Sequence, residues 1–217
     1  MLLRIILPVL LVATIAACSN SGKGNAGFCD TACLNDTIKF IKEDHKLKPY
    51  VYISAKNCNA DSIIWSYAGK GVNKKMGLED LLNNKVKLNK NFIKVNIFDT
   101  SHAWVMFNDC LTGRGYVLKL PFASDKTIER KSSGINNLDP KFKIEDGLVA
   151  YTDRGNIFVR DMATDKQAMM TFGKNLETDY DALHKTIDSV KISRNKIWVK
   201  VKINGEWKEL QKEISLQ

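Results

Sequence analysis

Residues 142–172 contain four short runs of β-favouring residues separated by turns, and this pattern constrains the fold more than any other stretch of the chain. The runs cover residues 142–144, 148–151, 157–159 and 168–170. The segments between them are rich in Gly, Asp, Asn and Thr, and Gly, Asp and Asn in particular favour tight turns. Short β-favouring runs joined by such turns predict an antiparallel meander.

Weaker copies of this pattern lie before and after it. Similar runs and turns recur over residues 50–65, 90–120 and 190–207. Two columns align the copies, an isoleucine column with spacings of 44, 47 and 48 residues and an aromatic column with spacings of 39, 47 and 47. The columns consist of Ile53, Ile97, Ile144 and Ile192, and of Trp65, Trp104, Tyr151 and Trp198. A period of about 45 residues is typical of propeller blades.

The third copy carries the pattern G-x-x-A-Y at residues 147–151 and the pattern G-x-I-F-V-x-D at residues 155–161. In these motifs it resembles the blades of TolB-like and WD40-like β-propellers. The resemblance implies a propeller-like fold and a tendency to bind other proteins, and it implies nothing catalytic. With four copies, we expect a mainly β domain of antiparallel meander repeats, either closed into a small ring or left as an open stack of hairpins capped by helices. An α+β fold with an antiparallel sheet is the alternative.

Apolar residues spaced by three and four positions also predict helices. An N-terminal helix is predicted to begin near residue 30 and end near residue 46, with Leu34, Ile38, Ile41 and His45 on its apolar face. Residues 131–140, which contain Ser, Gly and Asn, are predicted to form a loop. Two further helices are predicted, a short one over residues 76–83 and an amphipathic one over residues 176–190.

The first 17 residues have the form of a signal peptide. One arginine precedes an apolar core of about 13 residues, which is shorter than a membrane-spanning helix needs. The sequence Ile15-Ala16-Ala17-Cys18 resembles the lipobox of bacterial lipoproteins, which implies that Cys18 is lipidated and becomes the N-terminus. An ordinary secretory signal cut near Ala17, with Cys18 a plain thiol, is the alternative.

Residues 18–28 are small and polar, as in a flexible tether, and residues 29–217 are then a single β-rich domain with an N-terminal helix. Ser19 follows the cysteine where an aspartate would favour the inner membrane, so the lipoprotein resemblance implies an outer-membrane protein facing the periplasm. We therefore expect a cell-envelope protein that is attached to the membrane through its N-terminal lipid.

Removing residues 1–17 takes away Arg4 and leaves 32 Lys and Arg against 24 Asp and Glu, so the mature chain is basic. The lysines are scattered, and no nucleic-acid-binding motif occurs, so we expect no nucleic-acid partner. A solvated basic face, or attraction to anionic lipid headgroups beside the anchor, explains the charge.

Four cysteines remain if Cys18 is lipidated, which is an even number in an exported protein. Cys29 and Cys33 are four residues apart in the predicted helix and would pair poorly with each other, so each is expected to bond separately to Cys58 or Cys110. A metal site with four thiolate ligands is the alternative, but the spacing C-x3-C differs from the C-x2-C of zinc sites. A single bridge with two free thiols also fits the sequence.

Candidate residues for chemistry are few. Asp99, Ser101 and His102 are the residue types of a catalytic triad, but their closeness in sequence is better explained by a turn, and no G-x-S-x-G motif occurs. The aromatic column is interpreted first as packing between neighbouring repeats and alternatively as a shared surface for a glycan or a protein. We expect no catalytic residue, metal or cofactor.

The leading hypothesis is a lipid-anchored, non-enzymatic binding or scaffolding module with an envelope protein as its partner. Two alternatives remain from the sequence. One is a small envelope hydrolase that uses turn residues near His102, and the other is an inhibitor or immunity-type protein.

Overall fold

A computed structural model describes residues 28–30, 33–69, 73–172, 176 and 178–217. The predicted signal peptide, the predicted lipidation site Cys18 and the predicted tether up to residue 27 lie outside the described residues. The described residues form four sheets of four strands each, and the prediction of a mainly β fold is confirmed. The α+β alternative is wrong, since the described residues contain one α-helix, α1, which spans Leu78–Leu82.

The first two sheets are antiparallel meanders of consecutive strands. The first sheet consists of β1 (Ile38–Ile41), β2 (Pro49–Lys56), β3 (Asn59–Tyr67) and β4 (Lys74–Gly77). The second consists of β5 (Ile93–Phe98), β6 (His102–Asn108), β7 (Gly115–Pro121) and β8 (Glu129–Lys131). In both sheets the strands lie in chain order, as a meander requires.

The third and fourth sheets are interlocked. The chain passes through β9 (Gly134–Ile135), β10 (Phe142–Ile144), β11 (Leu148–Asp153), β12 (Asn156–Asp161), β13 (Gln167–Met170), β14 (Ile187–Ile192), β15 (Lys196–Ile203) and β16 (Glu206–Glu213). The third sheet has the order β13-β12-β11-β9, and the fourth has the order β10-β14-β15-β16. Strand β10 therefore leaves the third sheet and pairs in parallel with β14.

This pairing corrects the predicted repeat register. Residues 142–144 were expected to be the first strand of the third meander, but β9 occupies that position beside β11. The prediction of a continuous loop over residues 131–140 is wrong for the same reason. Ile144 and Ile192, assigned to equivalent places in two repeats, are direct Cα partners in one sheet. Both are buried in the core between the third and fourth sheets, and that shared burial determines the pairing.

The four sheets pack in chain order. One buried cluster joins the first sheet to the second, a smaller one joins the second to the third, and another joins the third to the fourth. Within the described residues, none of these clusters contains residues of both the first sheet and the fourth. The far face of the fourth sheet is therefore not covered by another described sheet.

The predicted N-terminal helix is wrong. Residues 33–37 are irregular, and Ile38–Ile41 form β1, which pairs with β2 through Ile38 and Ile53. Ile38 and Phe40 alternate with exposed residues and pack on the first core. Burial with a period of two against an existing strand outweighs the apolar spacing that suggested a helix.

The predicted helix over residues 176–190 is also wrong. A 3-10 segment at Tyr180–Lys185 is followed directly by β14, and Ile187 and Val190 are fully buried strand residues. Both are β-branched, which favours a strand when a core is available to pack against. The short helix predicted over residues 76–83 is confirmed as α1, whose Leu78, Leu81 and Leu82 are buried.

Two disulfides connect the N-terminal segment to the first two sheets. Cys33 is bonded to Cys58 in the turn between β2 and β3, and Cys29 is bonded to Cys110 just after β6. The prediction that Cys29 and Cys33 bond separately to the other two cysteines is confirmed, and the four-thiolate metal site is wrong. Because disulfides persist in oxidising compartments, the protein belongs outside the cytoplasm.

Candidate binding surface on the fourth sheet

Three of the four residues in the aromatic column lie directly opposite a lysine on the neighbouring strand. In each pair the lysine Nζ lies 5.4–6.0 Å from the centroid of the indole ring, within the range of a cation–π contact. The pairs are Trp65 with Lys74, Trp104 with Lys119, and Trp198 with Lys191. We call this arrangement the tryptophan–lysine pair.

The pair in the first sheet is covered by the second sheet. Trp65 is 3% exposed, and its indole Nε1 donates a hydrogen bond of 2.9 Å to the carbonyl oxygen of Pro121, the last residue of β7. Lys74 Nζ donates to the same oxygen at 3.0 Å. Burial lowers the pKa of Lys74, which is consistent with its position between the two sheets.

The pair in the second sheet is covered by the third sheet in the same way. Trp104 is 3% exposed and donates from Nε1 to the carbonyl oxygen of Met162 at 3.0 Å. This oxygen also accepts a hydrogen bond of 2.9 Å from His102 Nε2. Lys119 forms an ion pair with Asp165, which lies in the turn that follows Met162. In both sheets, therefore, one carbonyl at the end of a strand accepts the indole N–H and a second donor.

Tyr151 also lies between sheets, but it faces the opposite way. It is 6% exposed, stacks on Phe158 with the ring centroids 5.3 Å apart, and has Lys131 Nζ of the second sheet 4.7 Å from its ring. The column therefore does not form one shared aromatic surface. Trp65, Trp104 and Tyr151 pack between sheets, which is the interpretation that the sequence favoured.

Trp198 differs from the other tryptophans of the column because it lies on the far face of the fourth sheet. Its neighbours in β15, Ile197 and Val199, are fully buried against the third sheet, so the alternation of the strand turns Trp198 outward. Its side chain is partly exposed, and its Nε1 donates no hydrogen bond to a described residue. The tryptophan–lysine pair of the fourth sheet is therefore uncovered.

Further polar and aromatic side chains surround this pair. A row of Cα partners crosses the four strands from Lys143 through Lys191 and Trp198 to Gln211. In a second row, Lys202 lies opposite Trp207, with Nζ 5.9 Å from the ring, and Trp207 is 43% exposed. We call this surface the outer face, and it comprises Lys143, Lys191, Lys196, Trp198, Lys200, Lys202, Trp207, Glu209, Gln211 and Glu213.

The outer face is basic and contains a cleft. Its five lysines oppose two glutamates, and Lys196 approaches one of these, Glu213, at 3.7 Å. A cleft of about 770 Å³ extends across Lys191 and Trp198 to the edge strand β10 and its flanking residues, where Phe142 and the carboxylates of Asp139 and Glu145 form part of its wall. Lysine ammonium groups beside aromatic rings in a cleft can bind an anionic group and a flat or apolar group together.

The residues with triad chemistry are only partly brought together. The hydroxyl of Ser101 lies 2.8 Å from His102 Nδ1. Burial lowers the pKa of His102, so the ring is neutral, Nε2–H donates to Met162, and Nδ1 accepts from the serine. Asp99 instead pairs with Lys42 at 2.6 Å and is largely exposed. The carboxylate that a triad needs behind the histidine is thus replaced by a backbone carbonyl.

The lysine members of the pairs were not identified from the sequence. Lys74 follows its tryptophan by nine residues, Lys119 follows by fifteen, and Lys191 precedes by seven. Because strand pairing determines these contacts, no constant spacing exists that could have indicated them. The only available signal was the Trp column itself.

None of the helices in the described part of the chain has the length and apolar character that crossing a bilayer requires. Comparisons of the chain with protein-family models, with curated proteins and with solved structures gave no match.

Proposed function

We propose that this protein is an exported, lipid-anchored module of the bacterial cell envelope that binds a partner protein through its outer face and has no catalytic activity of its own. The sequence Ile15 to Cys18 supports the anchor through its resemblance to a lipobox. The disulfides support export. The small, polar composition of residues 19–27 is typical of linkers, which supports a domain held at some distance from the membrane.

The uncovered tryptophan–lysine pair of the outer face carries the proposal. In the first two sheets the same pair is the contact that holds the next sheet, through Pro121 and Met162. In the fourth sheet, Trp198 and Lys191 are again Cα partners, with Nζ 5.4 Å from the ring, but the lysine lies on the preceding strand, and no sheet among the described residues covers the pair. A surface built like an internal sheet interface is suited to receive another protein.

The stacking of the sheets supports the same proposal. Four sheets of four strands that pack in chain order fit an incomplete propeller-like arrangement. In a closed ring the first sheet would cover the outer face. We propose that the stack remains open and that the partner takes this place.

Anchoring is tested by cell fractionation. A Cys18→Ser variant should move from the membrane fraction to the soluble periplasmic fraction, because its thiol can no longer be lipidated. The unchanged chain, expressed at the same level, is the control. Membrane retention of the Cys18→Ser protein would contradict lipid anchoring.

Partner binding is tested by photo-crosslinking in cells. A photoreactive amino acid is placed at Gln211 on the outer face or at Lys126, an exposed control position between β7 and β8. We expect one discrete adduct from Gln211 that Lys126 does not give and that a Lys191→Glu substitution removes. The adduct supports the proposal once its protein is identified and the purified components bind each other. Equal adducts from both positions, or none from Gln211, would contradict it.

A further inference from the structure

We infer that the partner presents an acidic turn at the end of a strand to the outer face, with a backbone carbonyl that accepts the indole N–H of Trp198 and a carboxylate that pairs with Lys191. This inference rests on the proposed function. It specifies the chemistry of the partner, which the proposal alone leaves open.

The two covered pairs are the template. The acceptor for Trp65 is the last residue of β7, and the acceptor for Trp104 is the first residue after β12. Each carbonyl lies where a strand ends and therefore has capacity beyond the ladder for side-chain donors. The chain uses this contact twice between its own sheets, once with the indole of the first sheet and once with that of the second.

A carboxylate accompanies each carbonyl. Asp165 forms an ion pair with Lys119 in the second interface, and in the first Asp125 follows the acceptor Pro121 in the loop after β7. Asp165 is three residues beyond the acceptor Met162, and Asp125 is four residues beyond the acceptor Pro121. In both interfaces, therefore, the residue whose carbonyl accepts the indole N–H lies at the end of a strand, and an aspartate follows it in the next turn.

The fourth sheet has the donors of this contact without the acceptors. Trp198 Nε1 has no acceptor among the described residues, and neither Lys191 nor Lys143 forms an ion pair within them. The two carboxylates that line the same cleft, Asp139 and Glu145, are paired with His184 and Arg194. Partnering an exposed N–H and two ammonium groups calls for a carbonyl and negative charge from outside. The cleft over this row, about 770 Å³, lies within the size range of pockets that enclose small ligands, so a turn fits without a whole covering sheet.

A second copy of the chain is a poor occupant. In a head-to-tail pair of chains, the far face of the first sheet would be brought onto the outer face. One row of Cα partners on that far face begins with Lys39 opposite Tyr52 and ends with Lys75 opposite Ile64. Lysines would then meet the lysines of the outer face, and like charges at an interface are unfavourable. Charge complementarity instead favours an acidic segment.

The test uses NMR of the purified mature protein without its lipid and a cyclised hairpin peptide with the sequence of residues 157–170, which contains Met162 and Asp165. The indole N–H resonance of Trp198 is assigned with a Trp198→Phe variant. We expect saturable millimolar binding that shifts this resonance downfield and leaves those of Trp65 and Trp104 unchanged.

A matched peptide with Asp165→Asn should bind about fivefold more weakly, as should a Lys191→Gln protein, because each removes one charged partner of a surface ion pair. Equal binding of the two peptides, or no shift at Trp198, would overturn the inference. A shift produced by an anionic oligosaccharide or by anionic phospholipid vesicles, but not by the peptide, would also overturn it.

The crosslinking experiment separates this failure from failure of the proposed function. If Gln211 yields the partner adduct while the peptide does not bind at Trp198, the acidic-turn inference is wrong and the binding function stands. If neither experiment succeeds, both are wrong.

Discussion

Replacing Trp104 with Phe, and separately Trp198 with Phe, compares one tryptophan–lysine pair that is covered with one that is not. Both substitutions remove an indole N–H and shorten an aromatic side chain that lies opposite a lysine on the neighbouring strand. At Trp104 the indole donates to Met162 and is 3% exposed, whereas at Trp198 it has no acceptor among the described residues. The two variants should therefore differ in stability although the chemical change is identical.

The magnitude at Trp104 follows from two losses. The hydrogen bond to Met162 contributes about 1 kcal/mol net, and this remains near the typical value because His102 still donates to the same carbonyl. The smaller ring leaves unfilled space between the second and third sheets, which costs about 1–2 kcal/mol. At Trp198 neither loss applies, so a surface-like cost of at most about 0.5 kcal/mol is expected.

Urea unfolding measures this difference. With a slope of about 2 kcal/mol per M, a loss of about 2–3 kcal/mol lowers the midpoint by about 1–1.5 M urea for Trp104→Phe. Trp198→Phe should shift it by about 0.25 M or less. Equal shifts for the two variants would refute the reasoning, because Trp198 would then be covered as Trp104 is.

Four further variants test individual interactions. Replacing Cys58 and its bonded partner with Ser should lower the free energy of unfolding by about 3.5 kcal/mol, and replacing Cys110 and its partner should lower it by about 4.5 kcal/mol. The two values follow from the sequence separations of 25 and 81 residues that the disulfides close. Urea unfolding shows which of the two variants is less stable. Burial alone would raise the pKa of Asp161, but hydrogen bonds from an arginine and from its own turn lower it to about 2. The ionised carboxylate therefore stabilises the folded protein above about pH 4, and this stabilisation is lost as the pH falls through about 2. An Asp161→Asn variant should lack that acid-dependent loss in unfolding experiments at several pH values. A hydrogen bond to Asp139 raises the pKa of His184. The protonated ring therefore stabilises the folded protein fully below about pH 6.5, and this stabilisation disappears as the pH rises through the raised pKa. The free energy of unfolding of a His184→Gln variant should differ from that of the parent more at about pH 5.5 than at about pH 9.

The features that local physics determines were predictable from the sequence. The Asn204-Gly205 turn, with φ of 54° and 84°, joins β15 and β16 as the Asn-Gly dipeptide indicates. The hairpin of β11 and β12 was predictable for the same reason, since β-favouring runs flank a turn that contains Gly155. An even number of cysteines in an exported chain likewise indicated two disulfides.

The features that distant pairing determines were not predictable. Ile38 and Ile41 are spaced as on a helix, yet the presence of β2 beside them makes a strand. Phe142 and Ile144 form a run of three residues that could join either of two sheets, and only burial against β14 decides between them. A short apolar run carries no information about its partner strand.

The candidate surface was half predictable. The aromatic column includes Trp198, but it groups this residue with three side chains that pack between sheets. The difference arises from the end of the stack, because Trp198 is on the last sheet and no described sheet follows. Sequence periodicity shows that positions are equivalent along the chain, whereas exposure depends on which copy comes last.

Hydrogen exchange of the indole N–H groups in the free protein, followed by NMR, tests the central claim most directly. The N–H groups of Trp65 and Trp104, buried and bonded to carbonyls of the next sheet, should be strongly protected. The N–H of Trp198 should exchange at nearly the rate of free indole. Protection of Trp198 equal to that of the other two would show that the outer face is already covered, and would contradict the account of it as a binding surface.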